Sequence, residues 1–199
     1  MTFRSDGIAA LVYFVVLACW LGFGVIVFVG KRGAAKRSRK RDVKSNAGFL
    51  LQGVGYAICF AFPRTFFSPF FPMSKGSETI LAAVAAAIAI ASVWFCYAAA
   101  RALGKQWALV ARVIEGHELI ARGPYAIVRN PIYLAMFGML VATGLAVSRW
   151  PALLAGAAVF FVGTAIRIRA EEKLLAETFG ARFDDYARRV PALFPRLLR

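Results

Sequence analysis

Two short stretches of this 199-residue chain carry the residue types from which a ligand site could be built. The first runs from His117 to Tyr133 and contains a Gly-Pro-Tyr turn, followed by Asn130-Pro131, a pair typical of a helix start. Free backbone N–H groups at such a helix start attract an anion such as a carboxylate. The rings of Tyr125 and Tyr133 could supply faces for a heterocycle. A loop followed by a capped helix is the simpler interpretation of the same residues.

The second stretch holds a cation and an anion at helical spacing. Arg167 and Glu171 are four residues apart, which places both side chains on one face of a helix. The order, Arg before Glu, is the poorer one for stabilising an isolated helix. Such a pair can instead bind the two ends of a zwitterion. A surface ion pair at a helix end is the alternative interpretation.

The segments that must position these residues are strongly apolar. Hydrophobic residues make up 60% of the chain and charged residues 18%, whereas soluble domains have about 45–50% and about 25%. A helix of about 20 apolar residues crosses the hydrocarbon core of a bilayer. Five segments contain no Asp, Glu, Lys or Arg: 7–30, 45–63, 79–100, 130–148 and 150–166. The sequence therefore predicts an all-α integral membrane protein with five transmembrane helices, in which spans four and five form a helical hairpin.

The basic residues are distributed unevenly between the connections. Eight lie in 31–44, five in 101–129 and eight from 167 onward, and the remaining four are Arg4, Arg64, Lys75 and Arg149. Because Lys and Arg accumulate on the cytoplasmic side, we expect a multi-pass protein with its N-terminus outside and a cytoplasmic C-terminal helical segment. In a bacterium it would lie in the cytoplasmic membrane. The net charge of +15 then reflects topology and attraction to membrane lipids. Nucleic-acid binding by 31–44 is disfavoured, since no recognisable nucleic-acid module accompanies it.

The histidine and cysteine content limits the metal chemistry. The sequence has one His, which excludes a metal site built on several imidazoles. Cys19, Cys59 and Cys96 all fall inside predicted spans and lack the C-x-x-C spacing of a metal or redox motif. We therefore expect no metal site.

Together, the two stretches resemble the motifs of the isoprenylcysteine carboxyl methyltransferase family and of its phospholipid N-methyltransferase relatives. The first family motif is matched by His117, Leu119, Gly123, Tyr125, Arg129, Pro131 and Tyr133. The second is matched by Arg167, Glu171, Glu172, Leu175, Phe179, Gly180, Tyr186, Val190, Pro191 and Pro195. The resemblance covers residues 117–195. Asn130 departs from the family's His and cannot become a cation, while Ala135 replaces a common Gly and Phe183 a common Tyr.

The resemblance implies an integral membrane methyltransferase that uses S-adenosylmethionine. It implies that Glu171 holds the α-ammonium of the cofactor, and that Arg167 is catalytic and substrate-binding, pairing with a carboxylate in the family's founding activity. The remaining cofactor-binding residues implied by the resemblance are His117, Glu118, Leu119, Ile120, Tyr125, Asn130, Pro131, Ile132 and Tyr133. The acceptor would be a lipophilic small molecule or a lipidated substrate.

The chain is expected to form one membrane domain over residues 1–199. Residues 1–100 supply three spans, and residues 101–199 supply the cofactor loop, the hairpin and the C-terminal segment of the catalytic part. Carboxyl O-methylation of an isoprenylcysteine-like substrate is the leading expectation for the reaction. N-methylation of an amino-phospholipid and methylation of a small lipophilic thiol are alternatives. A non-catalytic membrane module that binds a lipid or a partner is an alternative of another class.

Overall fold

The computed structural model describes residues 7–33, 40–41, 44–64, 74–104, 112–113 and 118–195. The helices are α1 (Gly7–Gly33), α2 (Lys44–Ala61), α3 (Lys75–Leu103), α4 (Pro124–Ile127), α5 (Pro131–Val147), α6 (Trp150–Phe179) and α7 (Ala181–Arg189). Between them lie two-residue strands, β1 (Lys40–Arg41) and β2 (Arg112–Val113), which pair antiparallel. The helical prediction is confirmed, whereas the short strand pair was not predicted.

The five uncharged segments of the sequence coincide with α1, α2, α3, α5 and α6. Among the described residues, three helical stretches are long and apolar enough to cross a membrane: Gly7–Gly30, Lys75–Leu103 and Trp150–Phe179. The apolar helix α5 is shorter, at 17 residues. Helix α2 is less apolar because it contains polar residues that include Gln52. The structure thus supports a membrane protein, and the count of five crossings stays a prediction.

Helices α5 and α6 form the predicted hairpin, because only Ser148 and Arg149 separate them. The turn between them is tied to the end of α2. The backbone N–H of Arg149 donates to the Phe62 carbonyl at 3.2 Å, and that of Arg64 donates to the Val147 carbonyl at 2.8 Å. The Arg64 guanidinium also donates to the carbonyls of the last turn of α5, at 2.5 and 2.7 Å. One end of α2 is therefore fixed to the hairpin.

Small residues let α2 and α6 approach closely along their length. A Cβ on Gly48 would lie 2.6 Å from the Gly163 carbonyl oxygen, and a Cβ on Gly156 would lie 2.5 Å from the Gly55 carbonyl oxygen. Gly48 thus faces Gly163 while Gly55 faces Gly156, so the two helices run antiparallel with their backbones in contact. Close backbone approach through small residues is typical of helix packing in membranes. This contact places α2 against the part of α6 that carries Arg167.

A second core joins α1, α3 and α5. Its fully buried members include Ala85 and Ala89 on α3 and Met139 on α5. Alanines on α3 allow α5 to pack close to it, and another face of α5 packs against α2 and α6. The helix that begins at Pro131 is consequently held on both sides.

Candidate active site

Arg167 lies at the centre of the candidate site, on α6, and is only 4% exposed. Its Nε donates to the hydroxyl oxygen of Tyr133 at 2.8 Å, and its Nη1 donates to Oε1 of Gln52 at 3.2 Å. Its Nη2 lies 3.8 Å from Oε1 of Glu171. Three helices, α2, α5 and α6, therefore hold one buried guanidinium. The i, i+4 pairing of Arg167 with Glu171 is present as an ion pair, as the spacing predicted.

Tyr133 connects the base to the acid. Its hydroxyl accepts from Arg167 and donates to Oε1 of Glu171. Its ring centroid lies 5.0 Å from the guanidinium carbon of Arg167, a distance that permits a cation–π contact. The Tyr133 ring is buried. The Arg167 guanidinium lies over a face of this ring, which we had considered as a stacking surface for a heterocycle.

Phe49 supplies a second aromatic contact to Arg167 from α2. Its ring centroid lies 5.4 Å from the guanidinium carbon. Unlike Tyr133, Phe49 is 51% exposed on the outside of the bundle. The Phe49 ring thus lies between the buried Arg167 guanidinium and the outside of the bundle next to α2.

Gln52 is fully buried and makes two directed hydrogen bonds. Its Oε1 accepts from Arg167, and its Nε2 donates to Oγ1 of Thr164 at 2.9 Å. Because the amide donates at one end and accepts at the other, Thr164 fixes which end faces Arg167. Gln52 was not among the predicted site residues. It is one of two amides in its uncharged segment from 45 to 63, the other being Asn46 near the start, and a polar residue inside a span commonly marks a functional contact.

Arg129 organises a second group of contacts, just before α5. Its Nε donates to Oε1 of Glu172 at 2.8 Å. Its Nη1 donates to the carbonyls of Ala187 at 2.8 Å and Val190 at 2.5 Å. The arginine therefore binds the last turn of α7 and the residue that follows it to the start of α5. The sequence comparison assigned Arg129 to a family motif but did not predict this role.

Asn130 joins the same group of contacts. Its Nδ2 donates to the Ala192 carbonyl at 2.9 Å and is 3.5 Å from Oε1 of Glu172. Its backbone N–H also donates to Ala192, at 3.1 Å. In the part of the chain that the structure describes, the Asn130 side chain makes no capping hydrogen bond to α5. Helix α5 therefore begins at Pro131 as predicted, but the Asn130 side chain binds the C-terminal segment instead of capping the helix.

The other predicted cofactor residues lie around this helix start. Glu118 is exposed, and Leu119 and Ile120 are half-buried in the stretch before α4. Pro131 is fully buried, and Ile132 packs against the core of α1, α3 and α5. His117 lies outside the described residues.

Tyr125 and Tyr186 connect α4 to α7. The Tyr186 hydroxyl donates to the Tyr125 carbonyl at 2.7 Å. Burial raises the pKa of Tyr125 well above its usual value, and burial also raises the pKa of Tyr186 to about 12. Both phenols are therefore neutral hydrogen-bonding groups at physiological pH.

Among the residues that the structure describes, no group of three or more His, Cys, Asp or Glu side chains could hold a metal ion. The polar groups of the site are instead two guanidinium groups, a phenol, two amides and two carboxylates. The Glu171 side chain remains 27% exposed. The site thus presents a partly exposed acid and a buried cation on one face of α6.

Comparison with known proteins identifies the class of protein that this fold and site belong to. A sequence model of the phospholipid methyltransferase family matches residues 80–182, which is more than half of the chain. The chain belongs to this family, within the group of membrane methyltransferases that resemble isoprenylcysteine carboxyl methyltransferase. The matched range includes the whole of α5 and α6, and hence Tyr133, Arg167 and Glu171. Members of the family generally use S-adenosylmethionine.

Two curated relatives are similar over a shorter range. The nickel-cobalt-cadmium resistance protein NccN of Alcaligenes xylosoxydans xylosoxydans is 38% identical over 96 residues, which cover 48% of this chain and 45% of that protein. The cobalt-zinc-cadmium resistance protein CzcN of Cupriavidus metallidurans is 32% identical over 96 residues, covering 48% and 44%. The chain therefore spans less than half the length of either relative.

Proposed function

We propose that this protein is an integral membrane methyltransferase that uses S-adenosylmethionine to methylate a lipophilic acceptor. The observation that carries the proposal is the Arg167–Tyr133–Glu171 arrangement inside the matched range of the family. It offers a buried cation and a partly exposed anion on one helix face. An amino-acid cofactor with a free ammonium group and an acidic acceptor are the ligands that such a pair suits.

The proposed topology has five crossings by α1, α2, α3, α5 and α6. The N-terminus is outside, and the C-terminal helical segment that includes α7 is cytoplasmic. The distribution of Lys and Arg supports this orientation. Within one membrane domain, residues 1–100 contribute three spans and residues 101–199 form the catalytic part. The site then lies at the cytoplasmic end of α6, where a water-soluble cofactor has access.

The donor set fits a cofactor with an ammonium group and a carboxylate. The Glu171 carboxylate binds the ammonium group, and the start of α5 offers backbone N–H groups to an anion. The rest of the proposed cofactor site comes from residues 117–120, Tyr125 and residues 130–133. When bound, S-adenosylmethionine supplies an electrophilic methyl group on its sulfonium. The chain's own part is to align the acceptor with that group and to exclude water.

Arg167 is the proposed acceptor-binding and catalytic residue. A carboxylate nucleophile needs no general base, so pairing with a guanidinium and correct alignment are sufficient. Phe49 contacts Arg167 and is exposed on the outside of the bundle, which supports an acceptor that approaches from the lipid. Carboxyl O-methylation of an isoprenylcysteine-like substrate is therefore the favoured reaction.

Methylation of an amino-phospholipid is the second candidate, and the family description favours it. An amine must lose a proton before it attacks, and the chain has one histidine, His117, to accept that proton. A small lipophilic thiol is a further acceptor of the same kind. A non-catalytic membrane module that binds a lipid or a partner is the alternative of another class, since the relatives are named for metal resistance.

A methyl-transfer assay separates these candidates. Purified protein in lipid nanodiscs is given labelled S-adenosylmethionine with an acidic prenylcysteine, an amino-phospholipid or a lipophilic thiol, and the products are identified. We expect label in a methyl ester of the prenylcysteine. Label in the phospholipid headgroup would support the second candidate. Failure to bind S-adenosylmethionine in calorimetry, together with no labelled product, would contradict an enzymatic function.

A further inference from the structure

An apolar groove lies on the outside of the bundle, between α1 and α3. It has a volume of about 690 Å³, within the range of roughly 300–1,000 Å³ that is common for small-ligand sites. Its lining includes one stripe on each helix, at helical spacings of three and four residues: Val15, Ala18, Gly22 and Val25 on α1, and Ile90, Trp94 and Tyr97 on α3. Val25, Ile90 and Trp94 are each more than half exposed. The groove is therefore an apolar surface of ligand size that opens to the outside of the bundle.

Small residues on α1 create the space in this groove. A Cβ on Gly22 would lie 3.5 Å from Cγ1 of Val93 on α3, which is ordinary van der Waals contact. Ala18 lies one turn earlier on the same stripe. A longer side chain at position 22 would thus occupy the volume between the two helices.

Arg101 extends the α3 stripe from the groove to the end of the helix. It lies four residues after Tyr97 and is exposed, and its guanidinium carbon is 5.7 Å from the centroid of the Tyr97 ring. The distance from Ile90 to Arg101 along the helix is about 16 Å, which is about half of the roughly 30 Å thickness of the hydrocarbon core. The groove and the cation at its end therefore match the length of one acyl chain and the position of its phosphate in one leaflet.

The same end of the bundle is strongly basic. The connections that follow α1 and α3, residues 31–44 and 101–129, carry thirteen Lys or Arg and three Asp or Glu. The strands β1 and β2 join these two connections, and their register pairs Arg41 with Arg112. Like charges at directly opposed positions disfavour a strand pair, so anions at this end of the bundle would relieve the repulsion. The charge thus favours a lipid with a net negative headgroup.

We propose that the groove between α1 and α3 binds one acyl chain of an anionic phospholipid in the cytoplasmic leaflet, and that Arg101 binds the headgroup phosphate. A guanidinium can donate two parallel hydrogen bonds to a phosphate, and the Tyr97 ring beside it restricts where the guanidinium lies. The choice of leaflet follows from the proposed topology. Lipid binding itself does not depend on the proposed methyl transfer, because none of these residues belongs to the site around Arg167.

Native mass spectrometry of the full chain in a neutral detergent tests the proposal. The protein is titrated with dioleoylphosphatidylglycerol or with dioleoylphosphatidylcholine, and the Kd of the first bound lipid is obtained for each. We expect the wild type to bind the anionic lipid at least about fivefold more tightly, because one Lys or Arg near the headgroups contributes about this factor. Equal Kd values for the two lipids would overturn the proposal, since they would indicate annular lipid only.

Arg101→Gln tests the headgroup contact. The Kd for phosphatidylglycerol should rise about fivefold, whereas the Kd for phosphatidylcholine should change less than about twofold, because its ammonium group offsets the phosphate charge. Arg169→Gln is the matched control, since Arg169 is an exposed arginine near the same end of the bundle, on α6. It should leave both constants unchanged. An equal loss in the two variants would indicate general attraction to a basic surface and would overturn the assignment of Arg101.

Gly22→Leu tests the groove as the site of the acyl chain. The new side chain would fill the space beside Val93, so the Kd for phosphatidylglycerol should rise about tenfold. Gly24→Leu is the matched control two residues further along α1, where a Cβ meets no described atom within 4 Å, and its Kd should equal that of the wild type. Wild-type binding in Gly22→Leu would overturn the groove as the chain site. If that variant fails to fold, Arg101→Gln and its control decide the proposal, because Arg101 is exposed and lies outside the core.

Discussion

Glu171 and Glu172 are adjacent on α6, yet their carboxylates pair with different arginines. Glu171 lies beside Arg167 within its own helix, whereas Glu172 accepts from Arg129 at the start of α5. Successive helical residues point about 100° apart, so one acid faces the interior of the site and the other faces the C-terminal segment. Glu172 thus takes part in attaching the end of α7 and the residues after it, whereas Glu171 faces the proposed cofactor site.

Neutralising Glu171 should weaken cofactor binding specifically. A charge-assisted hydrogen bond contributes about 1.5–3 kcal/mol, so Glu171→Gln should reduce affinity for S-adenosylmethionine roughly tenfold or more in calorimetry. Glu172→Gln is the matched control, because it removes the neighbouring charge and should lower thermal stability while affinity changes little. Equal affinity of the Glu171 variant and the wild type would remove this residue from the cofactor site.

Substitutions of Arg167 should separate acceptor binding from cofactor binding. Arg167→Ala removes the counter-charge of the acceptor, so turnover should fall strongly while cofactor affinity stays within a few-fold of wild type. Arg167→Lys should restore turnover only partly, because an ammonium lacks the planar fork of a guanidinium. Steady-state turnover with an acidic prenylcysteine and cofactor calorimetry measure both effects. Full activity in the Lys variant would mean that Arg167 only anchors α6 near the headgroups.

Arg129 is expected to hold the C-terminal segment in place. Arg129→Gln loses the ion pair to Glu172 and weakens the bonds to the Ala187 and Val190 carbonyls, at a cost of about 2 kcal/mol. Local opening should then make trypsin cleavage after Arg188 and Arg189 roughly tenfold faster or more. Arg182→Gln, an exposed position on α7, is the control and should leave the cleavage rate unchanged. An unchanged rate in Arg129→Gln would show that other contacts dock the segment.

The contact between α2 and α6 should tolerate no added methyl group. A Cβ on Gly163 would lie 2.6 Å from the Gly48 carbonyl oxygen and 2.9 Å from the Gln52 backbone nitrogen. Gly163→Ala should therefore lower stability by about 1–3 kcal/mol, which thermal unfolding in detergent would detect. Gly53→Ala offers a control on α2, since a Cβ there meets no described atom within 4 Å. The control should be neutral or stabilising by up to about 1 kcal/mol.

The proposed topology can be tested with fused reporters. A reporter after Arg199 should report the cytoplasm, and a reporter inserted near Lys75 should report the opposite side. The expectation follows from the unequal distribution of Lys and Arg between the connections. If both reporters lay on the same side of the membrane, the five-crossing topology would be contradicted.

The elements of the fold were predictable because their causes are local. Uncharged runs of helical length predicted α1, α2, α3, α5 and α6, and Asn130-Pro131 predicted where α5 begins. The i, i+4 spacing placed Arg167 beside Glu171 for the same reason. These features depend on residues within one or two helical turns, which a sequence displays directly.

The contacts that complete the site depend on distant parts of the chain. Gln52 and Arg167 are 115 residues apart, and no local pattern indicates which helix packs on which. Asn130 was expected to cap α5, but the Ala192 carbonyl competes for its amide from 62 residues away. Such competition is decided by tertiary packing, so the sequence could suggest an N-cap but could not predict the outcome.

The attachment of α2 to the α5–α6 turn has a mechanical consequence. The bonds at Phe62, Arg64 and Arg149 make that end of α2 a fulcrum, whereas Phe49 lies about 18 Å away along the helix. A tilt of about 5° around this fulcrum displaces the Phe49 end by about 1.5 Å while the tied end stays still. Such a tilt would open the close contact between Gly48 and Gly163, so this glycine contact is what keeps Phe49 in place over the buried guanidinium.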